Sequence, residues 1–412
     1  PFEFSDQPIF VGRETETRDL IGRLEANVDR GRGLLLVTGP SGVGKSSLIR
    51  AGLLPRLARP FLFPGIALCR WCLVDLVAAE GPLRALATAV SAPSILGASL
   101  ERFGLDGQAL AALLATTPEV AASELAAALA QVSIKFAEQA GANGGRAQLV
   151  IVVDPLDPLF GAAIPGRGAG LAAPGVAAEG QVDSVVVGSS VPSAESGVTR
   201  DTLPTTGPEP SLALAPAARA FLAALRCLAT QDGIWVIATL RSDFLPLLAN
   251  VPELAGELDE VSWFPLQPPV TARIRQVIEI PARVAAIDFE EPTSGIGRGL
   301  VDALEAEAGL LTHWPPALQE VLDALYRRAA TRPDEGAARP SLLTLADLRS
   351  LGGVTGTLIA RADVLWAELE PSQRAALPTL CRALVTLEGS GAPRPGLRAG
   401  DLQTLTRLPA VA

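Results

Sequence analysis

The chain has 412 residues, which is long enough for two or three domains with well-buried cores. Hydrophobic residues make up 49% of it and charged residues 19%, a balance typical of a globular protein and not of a disordered one. Its 34 basic and 44 acidic residues give a net charge of −10, so we expect no nucleic acid partner, since phosphate-backbone binding needs a basic surface.

No run of about 18 uninterrupted apolar residues is present, so the sequence predicts no membrane span in this segment. Residues 109–131 and 211–229, the longest alanine- and leucine-rich stretches, carry charges and are predicted to be amphipathic core helices. The N-terminus has no signal-peptide pattern, and the lack of an initiating methionine suggests an excised fragment. We therefore expect a cytoplasmic location, with any anchor outside this segment.

The first elements of the chain form a strand, a glycine-rich loop and a helix. Residues 12–30 have apolar positions at helical spacing, Leu34 to Val37 is strand-like, and Ser46 to Leu54 is helix-like, with Gly52 and Pro55 at its expected end. Between strand and helix lies a G-x-x-x-x-G-K-[ST] phosphate-binding loop. The predicted nucleotide-binding residues of this loop are Gly39, Ser41, Gly42, Val43, Gly44, Lys45, Ser46 and Ser47.

This loop, the P-loop, predicts binding of a nucleoside phosphate. Its glycines let backbone N–H groups converge on the phosphates, and the helix N-terminus adds the positive end of its dipole. Lys45 would reach the β- and γ-phosphates, and the Ser46 hydroxyl would be one ligand of Mg²⁺. The alternative is a plain glycine-rich turn with a solvated Lys45, which fits the spacing, strand and helix less well.

The next segment contains a C-x-x-C pair. Cys69 and Cys72 lie in Ile66 to Leu76, which alternates like a strand and predicts incidental thiols more than a redox or metal site. His313 is the single histidine, which argues against His-based catalysis or a multi-histidine metal site. Residues 81–140 are predicted to be helical in several pieces, interrupted at Gly97, Gly104 and Pro118.

A third strand-like run, residues 148–154, ends in an acid. Asp154 is predicted to hold Mg²⁺ as the Walker B carboxylate, because the ends of parallel strands open onto one crevice. The alternative is a strand-terminating turn at Asp154-Pro155. Asp157 is a candidate for polarising an attacking water, and equally a turn residue.

Residues 161–212 shift to Gly, Pro, Ser, Ala and Val and predict a flexible surface insertion. A helix over 214–229 and a strand over 234–239 follow. Arg241, just beyond this strand, would either face the γ-phosphate or pair with Asp243 at the surface. Because strands alternate with helices, the sequence predicts an α/β fold with a parallel sheet.

After Pro265 the sequence becomes helix-rich. Helical periodicity is present over 270–286, 298–308, 316–329, 354–369 and 372–387. No internal repeat of about 20–50 residues is found in the sequence, so it predicts neither a solenoid nor a propeller here.

Several motifs in one order resemble a known family. Phe10-Val11-Gly12-Arg13-Glu14 is similar to the entry motif of STAND signal-transducing NTPases. The motifs that resemble the novel STAND NTPase type 1 group, within the AAA+/STAND class of P-loop NTPases, are GPSGVGKSSLIRAGLLPRL, VIVVDPLDPLF, TLRSDF, IEIPAR, WPPALQEVLDAL and LGGVTGTLIARADVLWAEL.

The resemblance implies three domains: an AAA+-like nucleotide-binding domain over 1–267, a helical bundle over 268–350 and a winged-helix-like module over 351–412. It implies a molecular switch that uses ATP, ADP and Mg²⁺. Such a switch self-associates when ATP is bound and relays a signal to a fused effector. The effector and sensor domains would lie outside this segment. Val11 and Gly12 would lie near adenine, Pro316 near the base or ribose, and Arg241 at the γ-phosphate.

Two departures from the family pattern bear on hydrolysis. The Walker B extension DQFEELF is DPLDPLF here, so Asp157 and Pro158 replace the two glutamates. The C-terminal part has no histidine to contact ADP, so Arg394 or Arg398 would take that place. We expect a switch with slow hydrolysis. The alternatives are a non-hydrolysing scaffold and a P-loop motor or kinase, and the sequence does not distinguish adenine from guanine.

Overall fold

The structure is a computed structural model that describes residues 1–77, 80–140, 145–160, 214–248, 251–254, 259–291, 299–311, 314–331, 342–387 and 393–395. A parallel five-stranded sheet in the order β2-β3-β4-β1-β5 organises its first part. Its strands are β1 (Leu34–Gly39), β2 (Ile66–Val74), β3 (Arg146–Val153), β4 (Ile234–Arg241) and β5 (Trp263–Pro265). The predicted parallel α/β fold is confirmed.

Strand β4 lies between the P-loop strand β1 and the Asp154 strand β3. Gly39, the last residue of β1, pairs with Arg241, and Val153 pairs with Ala238. Because the strands are parallel, their carboxyl ends meet at one edge of the sheet. This order therefore brings the P-loop, Asp154 and Arg241 together, although they are far apart in the chain.

Helices cover both faces of the sheet, because alternate strand residues point to opposite sides. Leu35, Val37 and Ile237 pack on one face against α1 (Glu14–Asp29) and the helix after the P-loop. Leu36, Ile151 and Val236 pack on the other. The helices of that second face are α3 (Pro82–Val90), α4 (Gly107–Thr116), α5 (Pro118–Ala140) and α6 (Pro216–Ala229).

The helix after the P-loop, α2, runs without a break through three segments: Lys45–Ser47, the π-type Leu48–Leu53, and Leu54–Leu57. The predicted end near Leu54 is therefore wrong by three residues. Pro55 lies just after the junction between the π-type segment and the last segment of this continuous helix. Gly52 is a packing position, because a Cβ there would lie 2.9 Å from Phe10 Cε1 and from Thr17 Oγ1.

Short helical turns connect the longer elements. They are Phe4–Ile9, Pro93–Gly97, Ala98–Leu100, Glu101–Phe103, Asp157–Phe160, Ser242–Phe244, Leu245–Leu248, Pro252–Leu254 and Thr271–Arg273. The predicted insertion at 161–212 lies outside the described residues.

A helical bundle with its own core follows the sheet. Ile278, Leu304, Trp314 and Val321 are central in that core. The bundle contains α7 (Ile274–Val284), α8 (Leu300–Ala308), α9 (Trp314–Ala330), α10 (Leu345–Ser350), α11 (Gly353–Glu368) and the parallel pair β6 (Asp288–Phe289) and β7 (Leu342–Leu343).

The C-terminal elements differ in part from the expectation. Val354 of α11 packs into the bundle core, although it follows the predicted domain boundary at residue 350. The helix predicted over 372–387 is α12 (Pro371–Leu384), and it gives way to β8 (Val385–Leu387), which pairs with β9 (Pro393–Pro395). The β-branched Val385 and Thr386 favour the strand. The three-domain division and the winged-helix-like module stay predictions.

One helix among the described residues, Pro118–Glu138, is long and apolar enough to cross a membrane by length and composition. The bent pair Pro82–Val90 and Pro93–Phe103 passes the same test only if it is counted as one span. Ala121, Leu125 and Ala128 are buried in the core between α5, the sheet and its neighbours. This packing agrees with the prediction of an amphipathic core helix.

Candidate nucleotide site

A cavity of about 490 Å³ lies where the carboxyl edge of the sheet meets the helical bundle. The sheet side contributes the P-loop and the residues that follow β3 and β4. The bundle side contributes mainly apolar residues from α7 and α9, namely Val277, Pro281, Trp314, Pro315, Pro316, Leu318, Gln319 and Leu322. One end of the cavity is thus polar and the other is apolar.

The P-loop adopts the geometry of an anion cradle. Gly42 and Gly44 have φ angles of +75° and +98°, which glycine adopts without the strain of a Cβ. Gly44 immediately precedes α2, so the loop ends at a helix N-terminus, where free N–H groups attract phosphate. A Cβ on Gly44 would meet no atom within 4 Å, whereas one on Gly39 would lie 2.7 Å from the Leu266 carbonyl oxygen.

Lys45 is buried and does not extend into solvent. Its Nζ donates hydrogen bonds to the carbonyl oxygens of Gly39 and Pro40, at 2.8 Å and 3.0 Å. Burial lowers the pKa of Lys45, and the nearby Asp157 carboxylate opposes this shift. An ammonium held beneath the loop glycines fits a phosphate contact and does not fit the solvated lysine of a plain turn.

Ser46 and Asp154 form the polar centre of the site. The Ser46 hydroxyl donates a 2.8 Å hydrogen bond to Asp154 Oδ1, and the Thr239 hydroxyl donates one of 2.6 Å to the same oxygen. Arg50 Nε donates to Asp154 Oδ2 at 3.0 Å. A hydroxyl beside a buried carboxylate at the mouth of a P-loop is the oxygen donor set that Mg²⁺ takes with nucleotides, so these residues fit the ion.

Asp157 begins the short helix Asp157–Phe160 and lines the cavity. The main-chain N–H of Arg241 donates to Asp157 Oδ1 at 2.9 Å. Burial raises the pKa of Asp157, while this hydrogen bond and the charge of Lys45 lower it. Asp157 is both a cavity residue and a turn residue, so neither of the two sequence readings is eliminated.

Arg241 lines the cavity and also forms the ion pair that was its alternative prediction. Its guanidinium forms an ion pair with Asp243 and lies 5.7 Å from the Phe244 ring centroid, and the residue lines the cavity. Its Nε is buried with no hydrogen-bond partner among the described residues. The surface pair with Asp243 is therefore present in this structure, and the γ-phosphate contact stays a prediction.

The remaining predicted residues converge on the same cavity. Val11, Gly12 and Pro316 line it, as do Ser41, Val43 and Ser47 of the loop. Gly12 has a φ of +86°, and its N–H donates to Glu14 Oε1 at 2.8 Å. Gly39 is not among the lining residues and contributes its carbonyl oxygen to Lys45.

Arg13 was present in the sequence motif but was not singled out as a site residue. It is 7% exposed, and its Nη2 donates to the Val43 carbonyl oxygen at 2.9 Å, so it fixes the backbone of the P-loop. Sequence reasoning also missed Arg50 and Thr239, the partners of Asp154. The position of Arg13 inside the F-V-G-R-E motif was the one available signal, since nothing in the sequence links residues 50 and 239 to residue 154.

The two cysteines of the C-x-x-C pair do not line this cavity. Cys69 and Cys72 lie in β2, and burial raises the pKa of each thiol to about 12. No group of three or more metal-ligating side chains was found within the described part of the chain. Arg394 belongs to β9, whereas His313 and Arg398 lie outside the described residues.

The comparisons with known proteins agree with this geometry. The family model described as Novel STAND NTPase 1 matches residues 1–407. No curated protein matches the chain. Among solved structures, that of Drosophila ORC bound to DNA is 13% identical, with a TM-score of 0.41 over 96% of this chain and 86% of that one, a likeness too low to transfer any property. Because the family match spans nearly the whole sequence, this chain belongs to the novel STAND NTPase 1 family.

Proposed function

We propose that this chain is an ATP- and ADP-binding switch whose nucleotide state controls the conformation and self-association of a larger signalling or defence protein. The observation that carries the proposal is the composition of the cavity wall. Lys45 and Ser46 come from the sheet domain, whereas Trp314, Pro316 and Leu318 come from the helical bundle. A ligand in this cavity would contact both parts and so favour one arrangement of them.

The two ends of the cavity suit the two ends of a nucleotide. The loop N–H groups, Lys45 and the start of α2 suit a polyphosphate, and the apolar wall from α7 and α9 suits a base. Ser46 and Asp154 would hold Mg²⁺, which neutralises phosphate charge when it is bound. The Ser46–Asp154 hydrogen bond keeps the two ligand oxygens together before any ion arrives.

The acids around the site support slow hydrolysis. Asp157 is the only carboxylate besides Asp154 among the described residues that line the cavity, and one of its oxygens accepts the Arg241 N–H. Pro158 stands where the family pattern has a second acid. The same observation supports a second candidate, a nucleotide-bound scaffold that never hydrolyses.

The nucleotide content of the purified protein tests whether the chain binds a nucleotide at all. Protein purified without added nucleotide is denatured, and the released nucleotides are quantified by chromatography. We expect about one ADP or ATP per chain in the wild type and almost none in Lys45→Ala, because the cradle loses its cation. Lys135→Ala, a lysine of α5 away from the cavity, is the matched control. Equal content in Lys45→Ala and wild type would overturn the proposal.

Phosphate release and oligomeric state separate the candidate functions. We expect slow release that Asp154→Asn abolishes, and self-association with a non-hydrolysable ATP analogue but not with ADP. ATP that stays bound for hours without release would favour the scaffold. A rate above roughly 1 s⁻¹ would favour a motor or kinase. Effector and sensor domains fused outside this segment would receive the signal.

A further inference from the structure

Arg50 connects the predicted metal site to the beginning of the chain. It lies in the π-type segment of α2, and its Nε donates to Asp154 Oδ2 at 3.0 Å. Its Nη1 forms a 2.8 Å ion pair with Glu3 Oε1. One guanidinium thus bridges a buried site carboxylate and an exposed carboxylate of the N-terminal segment, which we define as residues 1–10.

The N-terminal segment is anchored along the P-loop helix. The Phe2 N–H donates to Ser47 Oγ at 3.1 Å, and the Phe2 ring packs edge-on against Phe10 at 5.7 Å. Phe4 stacks on Trp71 with a centroid distance of 5.3 Å. Phe2 also lines the nucleotide cavity. The segment therefore lies over the site, and the Glu3–Arg50 pair is its ionic contact with α2.

The surroundings of Asp154 make Arg50 a competitor for a metal ion. The Asp154 side chain is only 1% exposed. Two hydroxyls, from Ser46 and Thr239, hold its Oδ1, whereas Arg50 is the one cation paired with it among the described residues. A divalent cation beside Asp154 would repel the guanidinium, because like charges a few ångströms apart interact strongly where water is scarce.

Arg50 itself does not line the cavity, so its effect on nucleotide would pass through Asp154. Its second partner is Glu3, whose side chain is 52% exposed and which Arg50 contacts at the same time as Asp154. We propose that Arg50 is a positioning residue that shifts from Asp154 towards Glu3 when Mg²⁺ enters the nucleotide site, and so tightens the N-terminal segment on α2. This inference rests on the proposed nucleotide function.

Because Arg50 and Mg²⁺ compete for Asp154, variants at Glu3 and Arg50 should change the Mg²⁺ affinity in opposite directions. Glu3→Gln removes the second carboxylate that holds Arg50 and leaves its charge to Asp154 alone, so Mg²⁺ should bind more weakly, by about two- to fivefold for an exposed pair. Arg50→Gln removes the competing cation while Ser46 and Thr239 still hold Oδ1, so Mg²⁺ should bind more tightly. The coupling is the same in both directions. If the Glu3 contact strengthens Mg²⁺ binding by a given factor, Mg²⁺ must strengthen the Glu3 contact by that factor.

The experiment titrates MgCl₂ by calorimetry into protein that is saturated with ADP and stripped of metal. Arg56→Gln, which removes a charge from the last segment of α2, is the matched control and should leave the Mg²⁺ affinity unchanged. Hydrogen exchange of residues 2–10 is the second readout. Mg²⁺ should slow it in the wild type and leave it unaltered in Glu3→Gln.

Weaker Mg²⁺ binding in Arg50→Gln would overturn the inference, since it would make Arg50 a structural support of the site. An unchanged affinity in Glu3→Gln, or Mg²⁺-dependent protection that persists in it, would overturn it as well. If Arg50→Gln does not fold, Glu3→Gln alone still decides, because it alters an exposed side chain. Failure of ADP to bind any of these proteins would instead contradict the proposed function.

Discussion

The Pro316 ring of the helical bundle packs on Gly42 of the P-loop. A Cβ built on Gly42 would lie 3.0 Å from Pro316 Cγ, and Gly42 already requires a positive φ of +75°. The bundle therefore closes the cavity directly over the phosphate-binding backbone. A change in the position of α9 would therefore alter the contact with the loop. This contact can couple the nucleotide to the position of the bundle.

Pro316→Ala tests that coupling without altering the loop. It removes two ring carbons, so we expect ADP to bind about four- to fifteenfold more weakly, as one or both methylenes lose their contact with the nucleotide at ~0.8 kcal/mol each. Calorimetric titration with ADP measures the change. Leu310→Ala, at a side chain that is 85% exposed, is the control and should match the wild type. Unchanged affinity in Pro316→Ala would show that the bundle contact does not act on the nucleotide.

The sequence was sufficient for the residues that lie within one local pattern. The P-loop and Asp154 were predicted from short motifs, Pro316 was implied by the family resemblance, and all three line one cavity. The order of β2 to β5 could not be read from local patterns, because strand pairing is a property of the whole sheet. The Arg50 and Thr239 contacts with Asp154 depend on that order, so they were missed.

The sequence also does not predict which partner a side chain takes when two lie within reach. Arg241 was predicted to face phosphate or to pair with Asp243, and the structure contains the pair at the cavity wall. No spacing rule chooses between a carboxylate two residues away and a ligand anion, because both offer oxygen atoms to the guanidinium. Only a measurement with ligand decides this point.

Arg241→Ala and Asp243→Ala provide that measurement. If Arg241 senses the γ-phosphate, its removal should weaken ATP about tenfold, the effect of a lost charge-assisted hydrogen bond, and leave ADP nearly unchanged. Asp243→Ala frees the guanidinium and should raise the preference for ATP over ADP. Affinities for both nucleotides are measured by competition. An equal loss for ATP and ADP in Arg241→Ala would contradict the sensor role.

The thiols of β2 should be inert in the folded protein. Because burial raises the pKa of Cys69 and Cys72 to about 12, only about one thiol in ten thousand would be ionised at pH 8. In a background where Cys227 and Cys381, the other two cysteines, are replaced by serine, we expect reaction with a disulfide reagent at least about a hundredfold slower than that of free cysteine. Two thiols should react after denaturation. Fast native labelling, or stabilisation by zinc, would restore the redox or metal reading.

Lys45 should make the stability of the nucleotide-free protein depend on pH. Its pKa in the folded state is lowered by burial from the ordinary 10.5, so between the two values the unfolded chain binds more protons than the folded one. The cost of burying the ammonium is therefore present at neutral pH and disappears as pH rises through the folded pKa towards 10.5.

Lys45→Met removes this titration, and chemical denaturation of both proteins between pH 7.5 and 10.5 measures it. The wild type should gain stability relative to the variant as pH rises. The trend with pH is decisive and the difference at pH 7.5 is not, because methionine also leaves the Gly39 and Pro40 carbonyls without their donor. ADP at a hundred times its dissociation constant should stabilise the wild type by about 2.7 kcal/mol and the variant hardly at all. A stability difference that is constant with pH would contradict the burial of a charged Lys45.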